Sequence, residues 1–264
     1  MVAAERWHEF PQSEIPGVNE YYEYVWETQG FPDREVYCSM PITSANFGGL
    51  MPELSRTLGE DDFARKKRQI IRMNARLNEG FTRLLQGVPG FEEVTFTLPH
   101  KIGARHGWGE LEFMAFWMMR FVRMSPEKGT EFSEDIFSGV VVDREVFNNY
   151  GASRSDRERE YGKLVGFYGE FVGREGNDRS MIEAMVMLPG HQKSLGCQIE
   201  KQAAQQLGIK VYELVFDRHH PTYDTTWPIN TYGWSALARS NVVTEIPTIE
   251  NGGESLVVLR ECGN

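Results

Sequence analysis

The sequence predicts an α/β domain: a parallel sheet of about five strands with helices on both faces. Three observations lead there. The stretch Met181 to Leu214 packs a strand, a polar loop, a helix and a second strand into thirty-four residues. A long amphipathic pattern from about Asp61 to Leu85 is followed at once by a second short strand, Val94 to Leu98. Strand-like and helix-like segments alternate along most of the chain, the order that builds parallel sheets.

Taken in order, residues 1–34 are aromatic and acidic and form an N-terminal extension. Pro11, Pro16 and Pro32 punctuate Trp7, Phe10, Tyr21, Tyr22, Tyr24 and Trp26. That aromatic content calls for packing against a core, with one short helix over Val18 to Thr28. Glu35 to Ser39 is the first strand. Thr43 to Glu60 is a loop, either covering a pocket or lying on the surface. In the helix that follows, Phe63, Ile70, Met73, Leu77, Phe81 and Leu84 recur every three or four residues for the most part, and Gly87, Pro89 and Gly90 end it. Pro99-His100-Lys101 and His106-Gly107-Trp108-Gly109 then lie at the carboxyl edge of the sheet, where open α/β sheets bind ligands. Glu110 to Met124 is a helix apolar nearly all round, to be buried between the sheet and a neighbouring element or at a subunit interface.

Residues 125–180 read as an insertion, with a short strand at Ser138 to Val142. A charged helix capped by Ser155 follows, its apolar stripe made by Tyr161, Leu164, Val165, Tyr168, Phe171 and Val172. Arg154, Arg157 and Arg159 are read as its solvated face. Gly173 to Asp178 breaks this helix. Met185 to Leu188 is a buried strand closed by Pro189-Gly190, and Ser194 is placed to cap a helix that runs to Gly208. Ile209 to Leu214 is a strand. Beyond it, residues 217–264 form a C-terminal extension with a β-hairpin of Asn241 to Ile246 and Ser255 to Leu259 around Asn251-Gly252-Gly253.

The 264 residues suffice to bury a large core without staples. A formal net charge of −10 disfavours non-specific binding to a nucleic-acid polymer or an anionic membrane. Three cysteines, Cys38, Cys197 and Cys262, have neither metal nor redox spacing and suit a reducing compartment. The adjacent His219 and His220 have no third ligand at helical spacing, so no metal is expected. No leader pattern opens the chain, and Arg120 and Arg123 interrupt its most apolar stretch. A soluble, cytoplasmic protein is the expectation.

A strand, a polar loop and a helix N-terminus make an anion site, because the first helical N–H groups lack intrahelical partners. Glu200 lies six residues beyond Ser194, roughly 6 to 9 Å along the axis, on the order of the span from a 5′-phosphate to the anomeric carbon of its sugar. Spacing alone favours the plainer reading, with Ser194 as a mere cap and Glu200 as a solvated helix residue.

Leu188-Pro189-Gly190, Ser194-Leu195-Gly196, Glu200 and Leu207-Gly208-Ile209-Lys210-Val211 together resemble the nucleoside 2-deoxyribosyltransferase superfamily, which includes N-glycosidases of nucleoside 5′-monophosphates. The motif spans about a tenth of the chain. Val36 to Thr43 is similar to the family's opening strand and loop, with Met40 where glycine is usual, and the His100 to Gly109 loop is similar to that of cytidylate N-glycosidases. The resemblance implies a flavodoxin-like (Rossmann-like) domain over residues 35–216, sheet order 2-1-3-4-5, acting on a small nucleotide or nucleoside without a cofactor. It implies Glu200 as the nucleophile and a substrate-binding set of Ser194, Gly196, Gly190, Ser39, Pro41 and His100, with a structural role in its loop equally open for His100. For the acid that protonates the leaving base, Asp178 is preferred over Glu183, Glu175, Glu110 and Glu112. It also implies a homodimer or larger assembly. Base exchange between deoxynucleosides, and nucleotide binding without turnover, are the alternatives.

Overall fold

A computed structural model of the chain describes residues 17–42, 56–102, 108–149, 151–175, 182–216 and 257–262. Five strands form one sheet: β1 (Glu35–Ser39), β2 (Thr95–Thr97), β3 (Ala184–Met187), β4 (Lys210–Phe216) and β5 (Val257–Glu261), in the order β2-β1-β3-β4-β5. The first four are mutually parallel, with Val36 opposite both Phe96 and Ala184, and Ala184 opposite Lys210. β5 runs antiparallel to β4, Leu259 facing Leu214. The expected second arm of the hairpin, Ser255 to Leu259, overlaps this strand with a shift of two residues, and the strand pairs with β4; the first arm, Asn241 to Ile246, lies outside the described residues.

Side chains alternate across the strands, and this sorts the core into two layers. Val36 and Cys38 of β1 and Ala184, Val186 and Leu188 at β3 point to one face, where they meet Leu77, Phe81, Leu84 and Leu85 of α2 (Glu60–Leu85). Tyr37, Met185, Met187 and Val211 point to the other. There they meet α3 (Glu110–Phe121), α6 (Arg154–Glu175) and α7 (Leu195–Gln206). With helices on both faces, β1 and β3 are buried along their whole length. This is why Met185 to Leu188 reads as a continuous apolar run rather than an alternating one.

The apolar girth of α3 is satisfied within the chain. Ala115 to Met119 are completely buried, Tyr37 packs on Trp117 and Phe121 at ring separations of 4.9 Å, and α1 (Val18–Tyr24) covers the outer side by packing Tyr21 and Tyr22 on Phe116. α1 continues as a π-helical turn, Val25–Gln29, which ends one residue past the expected helix of Val18 to Thr28. Arg120, at the end of α3, is buried and gives its Nε–H to Glu35 Oε1 at 2.8 Å, an oxygen that Thr97 also donates to at 2.7 Å. Arg123 follows in the left-handed region, φ 49°, and bonds the Pro32 carbonyl at 2.6 Å. The two arginines that broke the apolar pattern therefore clamp α3 to the amino end of β1.

The segment between α3 and β3 differs from expectation. Residues 126–137 form a helix, α4 (Pro126–Phe137), whose start is written in Ser125-Pro126-Glu127: proline suits the first helical position. Ser138 to Val142 is a turn rather than a strand. Gly139 at φ 77° stops α4, and Val140 stands 83% exposed. Among the described residues no strand pairs with the β-branched residues there, and a strand propensity without a partner builds nothing. After the short α5 (Arg144–Asn148), α6 is capped by Ser153, which accepts from Asp156 N–H at 3.1 Å, and Ser155 lies inside the helix. Of the three arginines, Arg154 and Arg159 are exposed, but Arg157 is only 14% exposed and paired with Glu110. Among the described residues, no helix is long and apolar enough to cross a membrane.

Candidate functional site

The site is assembled where β1 meets α7. Tyr37 and Ser39 stand two residues apart on β1 and so share a face, the one against α7. The chain leaves β3 through Pro189-Gly190, and Gly190, at φ 93°, adopts a conformation that favours glycine. A single 3₁₀ turn, His191–Lys193, brings Ser194 to the helix N-cap, where its Oγ accepts from Cys197 N–H at 3.3 Å. Gly196 follows in the first turn. A Cβ there would make only an ordinary contact, 3.9 Å from Ser194 Oγ, so packing does not require glycine at this position.

Glu200, on the second turn of α7, is 4% exposed. Both its oxygens are held by hydroxyls: Tyr37 donates to Oε1 at 2.7 Å and Ser39 to Oε2 at 2.6 Å. Burial raises the carboxyl pKa to about 7, and the two donors hold it down from going further. The same burial, with the Glu200 charge beside it, pushes Tyr37 well up, so the phenol stays a donor. Cys197, also adjacent, is pushed up to about 12 and stays a thiol, which rules it out as a thiolate nucleophile. A carboxyl near 7 is a half-charged group at neutral pH, able to attack or accept a proton when ionised and to donate one when not.

Pro41 and His100 lie on the other flank of the β1 end. The Pro41 carbonyl accepts from Asn78 Nδ2 at 3.1 Å, and that of Ile42 from Asn74 Nδ2 at 2.7 Å, both from α2. His100 is buried, with Nδ1 3.1 Å from Met40 Sδ and Nε2 3.5 Å from Glu79 Oε1. Burial lowers its pKa more than Glu79 raises it, so the ring is neutral. Met40 thus fills the place where a glycine would leave room, and its sulfur seats the histidine. His191, in the loop before Ser194, is likewise buried, bonded to the Leu188 carbonyl at 3.0 Å and lowered by burial.

The acidic candidates are dispersed. Asp178 lies outside the described residues. Glu183 sits at the amino edge of the sheet, opposite to the Ser39 end, and binds Arg34 through both oxygens at 2.7 and 2.9 Å. Glu110 is held by Tyr161 and Arg157, and Glu112 by Arg144. Glu175 closes α6. The structure therefore brings together Ser39, Gly190, Ser194, Gly196 and Glu200, sets Pro41 and His100 across the end of β1, and separates Glu183 from all of them. Tyr37 is the site residue that sequence reasoning missed. Its two-residue spacing from Ser39 on an apolar strand was the available sign, but a tyrosine on a buried strand reads first as packing. Among the described residues, no group of three or more His, Cys, Asp or Glu side chains could hold a metal ion. No known protein family, curated protein or solved structure matches the chain.

Proposed function

We propose that the chain cleaves the N-glycosidic bond of a nucleoside 5′-monophosphate, with Glu200 as nucleophile. The observation that carries this reading is the Glu200 carboxyl, sunk beneath a helix N-terminus at the carboxyl edge of the sheet and gripped by Tyr37 and Ser39. The motif's resemblance to the deoxyribosyltransferase superfamily supplies the reaction. In it, the ionised Glu200 bonds to the anomeric carbon as the bond to the base breaks. The base takes up a proton, and water then cleaves the glycosyl ester, releasing the sugar phosphate and restoring the carboxylate. Tyr37 and Ser39 fix the carboxylate's orientation and drain some of its charge. Oriented hydroxyl donors of this kind need no reorganisation when the charge on Glu200 changes.

Ser194 would take the phosphate. Its oxygen already accepts from Cys197 N–H, which leaves the hydroxyl hydrogen to donate to a phosphate oxygen while the α7 N-terminus contributes favourable charge. Glu110 and Glu112 are each engaged by an arginine, Arg157 and Arg144 respectively, and the preference for Asp178 as the acid is kept. Assembly as a homodimer or larger belongs to the same proposal and rests on the resemblance.

A second reading, a nucleotide-binding module without turnover, draws on the same burial: at 4% exposure, with both oxygens engaged, Glu200 has little open approach. Incubating the pure protein with a panel of nucleosides and nucleotides, followed by chromatography, separates the readings. Free base supports hydrolysis, base exchange between deoxynucleosides supports a transferase, and thermal protection without turnover supports the binding module. Glu200→Gln should lower base release by several orders of magnitude with the fold intact, since an amide is a poor nucleophile. Normal turnover in that variant would remove Glu200 from the mechanism.

A further inference from the structure

The loop between β3 and α7 carries a buried histidine that the proposed reaction leaves unused. His191, 4% exposed, opens the 3₁₀ turn that leads to Ser194. Its Nδ1 lies 3.0 Å from the Leu188 carbonyl oxygen. A carbonyl only accepts, so Nδ1 carries the hydrogen and donates it. The His191 backbone N–H donates to the same oxygen at 3.2 Å, and ring and main chain together fasten the turn to the end of β3.

The His191 carbonyl accepts twice in turn, from Ser194 N–H at 3.0 Å and from Nε2 of Gln198, in the first turn of α7, at 2.9 Å. One residue therefore joins the end of β3 to the helix N-terminus that Ser194 caps. A further anchor reaches β4, where Glu213 Oε1 accepts from Gln192 Nε2 at 2.7 Å and lies 3.7 Å from His191 Nε2. Glu213 stands two residues beyond Val211, which packs in the layer with α7, so this anchor is on the sheet face that carries Glu200. Glu213 and Lys201 are the charged groups that face the ring, and burial lowers its pKa more than Leu188 and Glu213 raise it. The Leu188 carbonyl is already bonded to the main chain, so the ring is not needed to avoid a buried unpaired acceptor. What the ring adds is direction: it sets the angle at which the turn, leaving the left-handed Gly190, delivers Ser194 to α7.

We propose that His191 is a positioning residue for the substrate's phosphate: its imidazole holds the turn so that the Ser194 hydroxyl is aimed before the phosphate arrives. That the phosphate belongs to a nucleoside 5′-monophosphate rests on the N-glycosidase reading; the anchoring rests on the hydrogen bonds of the turn. His191 acts through Ser194 rather than on a reacting atom. Such support matters because a misplacement of about 1 Å costs on the order of a hundred-fold in rate.

The test uses the full chain and two substitutions at one position. His191→Asn keeps an N–H near the place of Nδ1 and can still donate to Leu188, whereas His191→Leu keeps bulk and removes the donor. Both leave the Leu188 carbonyl bonded to the main chain, so the fold should survive, as circular dichroism and urea unfolding will verify. Gln198→Leu, which removes the second donor to the His191 carbonyl, decides the matter by the same readouts if His191→Leu does not fold. Two quantities are measured on each protein. Thermal protection by inorganic phosphate, against chloride at the same ionic strength, gives a Kd. The second is the ratio of kcat/KM for a monophosphate to that for its nucleoside.

His191→Leu should weaken phosphate about ten-fold and lower the ratio about ten- to a hundred-fold. His191→Asn should recover most of both, and Gln198→Leu should move both in the same direction by less. Absence of saturable protection of the unsubstituted protein, affinity and ratio unmoved by the substitutions, or a His191→Asn no better than His191→Leu overturns the proposal. So does a His191→Leu variant that loses stability and turns over both substrates less in equal proportion, as a merely structural histidine would give. Phosphate protection that His191→Leu weakens, with no base released by any of the proteins, leaves the positioning role standing and defeats the N-glycosidase reading. Base release from the monophosphate by the unsubstituted protein, with affinity and ratio unmoved in His191→Leu, does the reverse.

Discussion

Replacing Glu200 by glutamine should invert the usual expectation that removing a charge from a hydrogen-bonded site costs stability. The carboxyl titrates near 7 in the folded chain, against an ordinary value of 4.5. Below about pH 4 it is neutral in both states and contributes nothing. Between 4.5 and 7 the unfolded chain ionises it and gains hydration, while the folded chain keeps it protonated. Stability is therefore fully present below the unfolded pKa and is lost as pH rises through the folded one. A shift of about 2.5 units at roughly 1.4 kcal/mol each makes the loss about 3 kcal/mol, complete by pH 8. Glutamine has the same shape, can accept from one hydroxyl and donate to the other, and does not titrate. The variant should exceed the parent by about 1 kcal/mol at pH 5 and by about 3 kcal/mol at pH 8, the latter about 6 to 12 °C in midpoint for a chain of this size. His100 and His191 pull the other way: burial lowers both, so their contribution is present above about 6.5 and lost in acid. They are common to both proteins and cancel in the difference. Thermal or urea unfolding of the two proteins at pH 5, 6, 7 and 8 gives that difference directly. Parallel profiles, with a constant offset from pH 5 to 8, would refute the claim that Glu200 is a buried carboxyl of raised pKa.

Tyr37→Phe removes one of the two donors that hold the Glu200 pKa down, so base release, which needs the carboxylate, should shift its rising limb from near pH 7 to higher pH; a pH–rate profile with an unmoved midpoint counts against the hydrogen bond's role. Ser194→Ala should depress kcat/KM about ten- to more than a hundred-fold for a nucleoside monophosphate and barely change it for the nucleoside, whereas equal losses on both substrates, with about 1 kcal/mol of destabilisation, would mean the serine only caps α7. Arg120→Met leaves Glu35 buried without its closest cation and should cost about 3 to 5 kcal/mol in urea unfolding, most of it recovered when Glu35→Gln is added; an additive double variant would show that the pair is not coupled.

Much of the architecture was legible because it is written in local periodicity. The bounds of β1, the long α2, the helical turn before β1 and the strand-loop-helix-strand unit around Ser194 follow from apolar spacing, glycine and proline stops and a serine cap, each a property of a few neighbouring residues. α4 could have been read the same way, from Ser125-Pro126-Glu127. The strand assigned to Ser138 to Val142 failed for the opposite reason. Strand formation needs a partner, and the three consecutive valines next to a left-handed glycine have none among the described residues.

The sequence by itself determined an α/β chain of parallel strands and placed Ser194 and Glu200 on one helix with a serine-bearing strand elsewhere. Only the tertiary structure decided what those residues are to one another. Glu200 is 161 residues from Ser39 and 163 from Tyr37, and their hydrogen bonds exist because β1 lies beside β3 in the sheet and α7 packs back across it. Likewise Arg120 meets Glu35, and Arg157 meets Glu110, only once helices and strands stack. The physical reason is that a pKa, a hydrogen bond and an ion pair depend on burial and on distances of about 3 Å across the fold. A residue's neighbours in sequence fix its element and its face, but not its partners across the sheet.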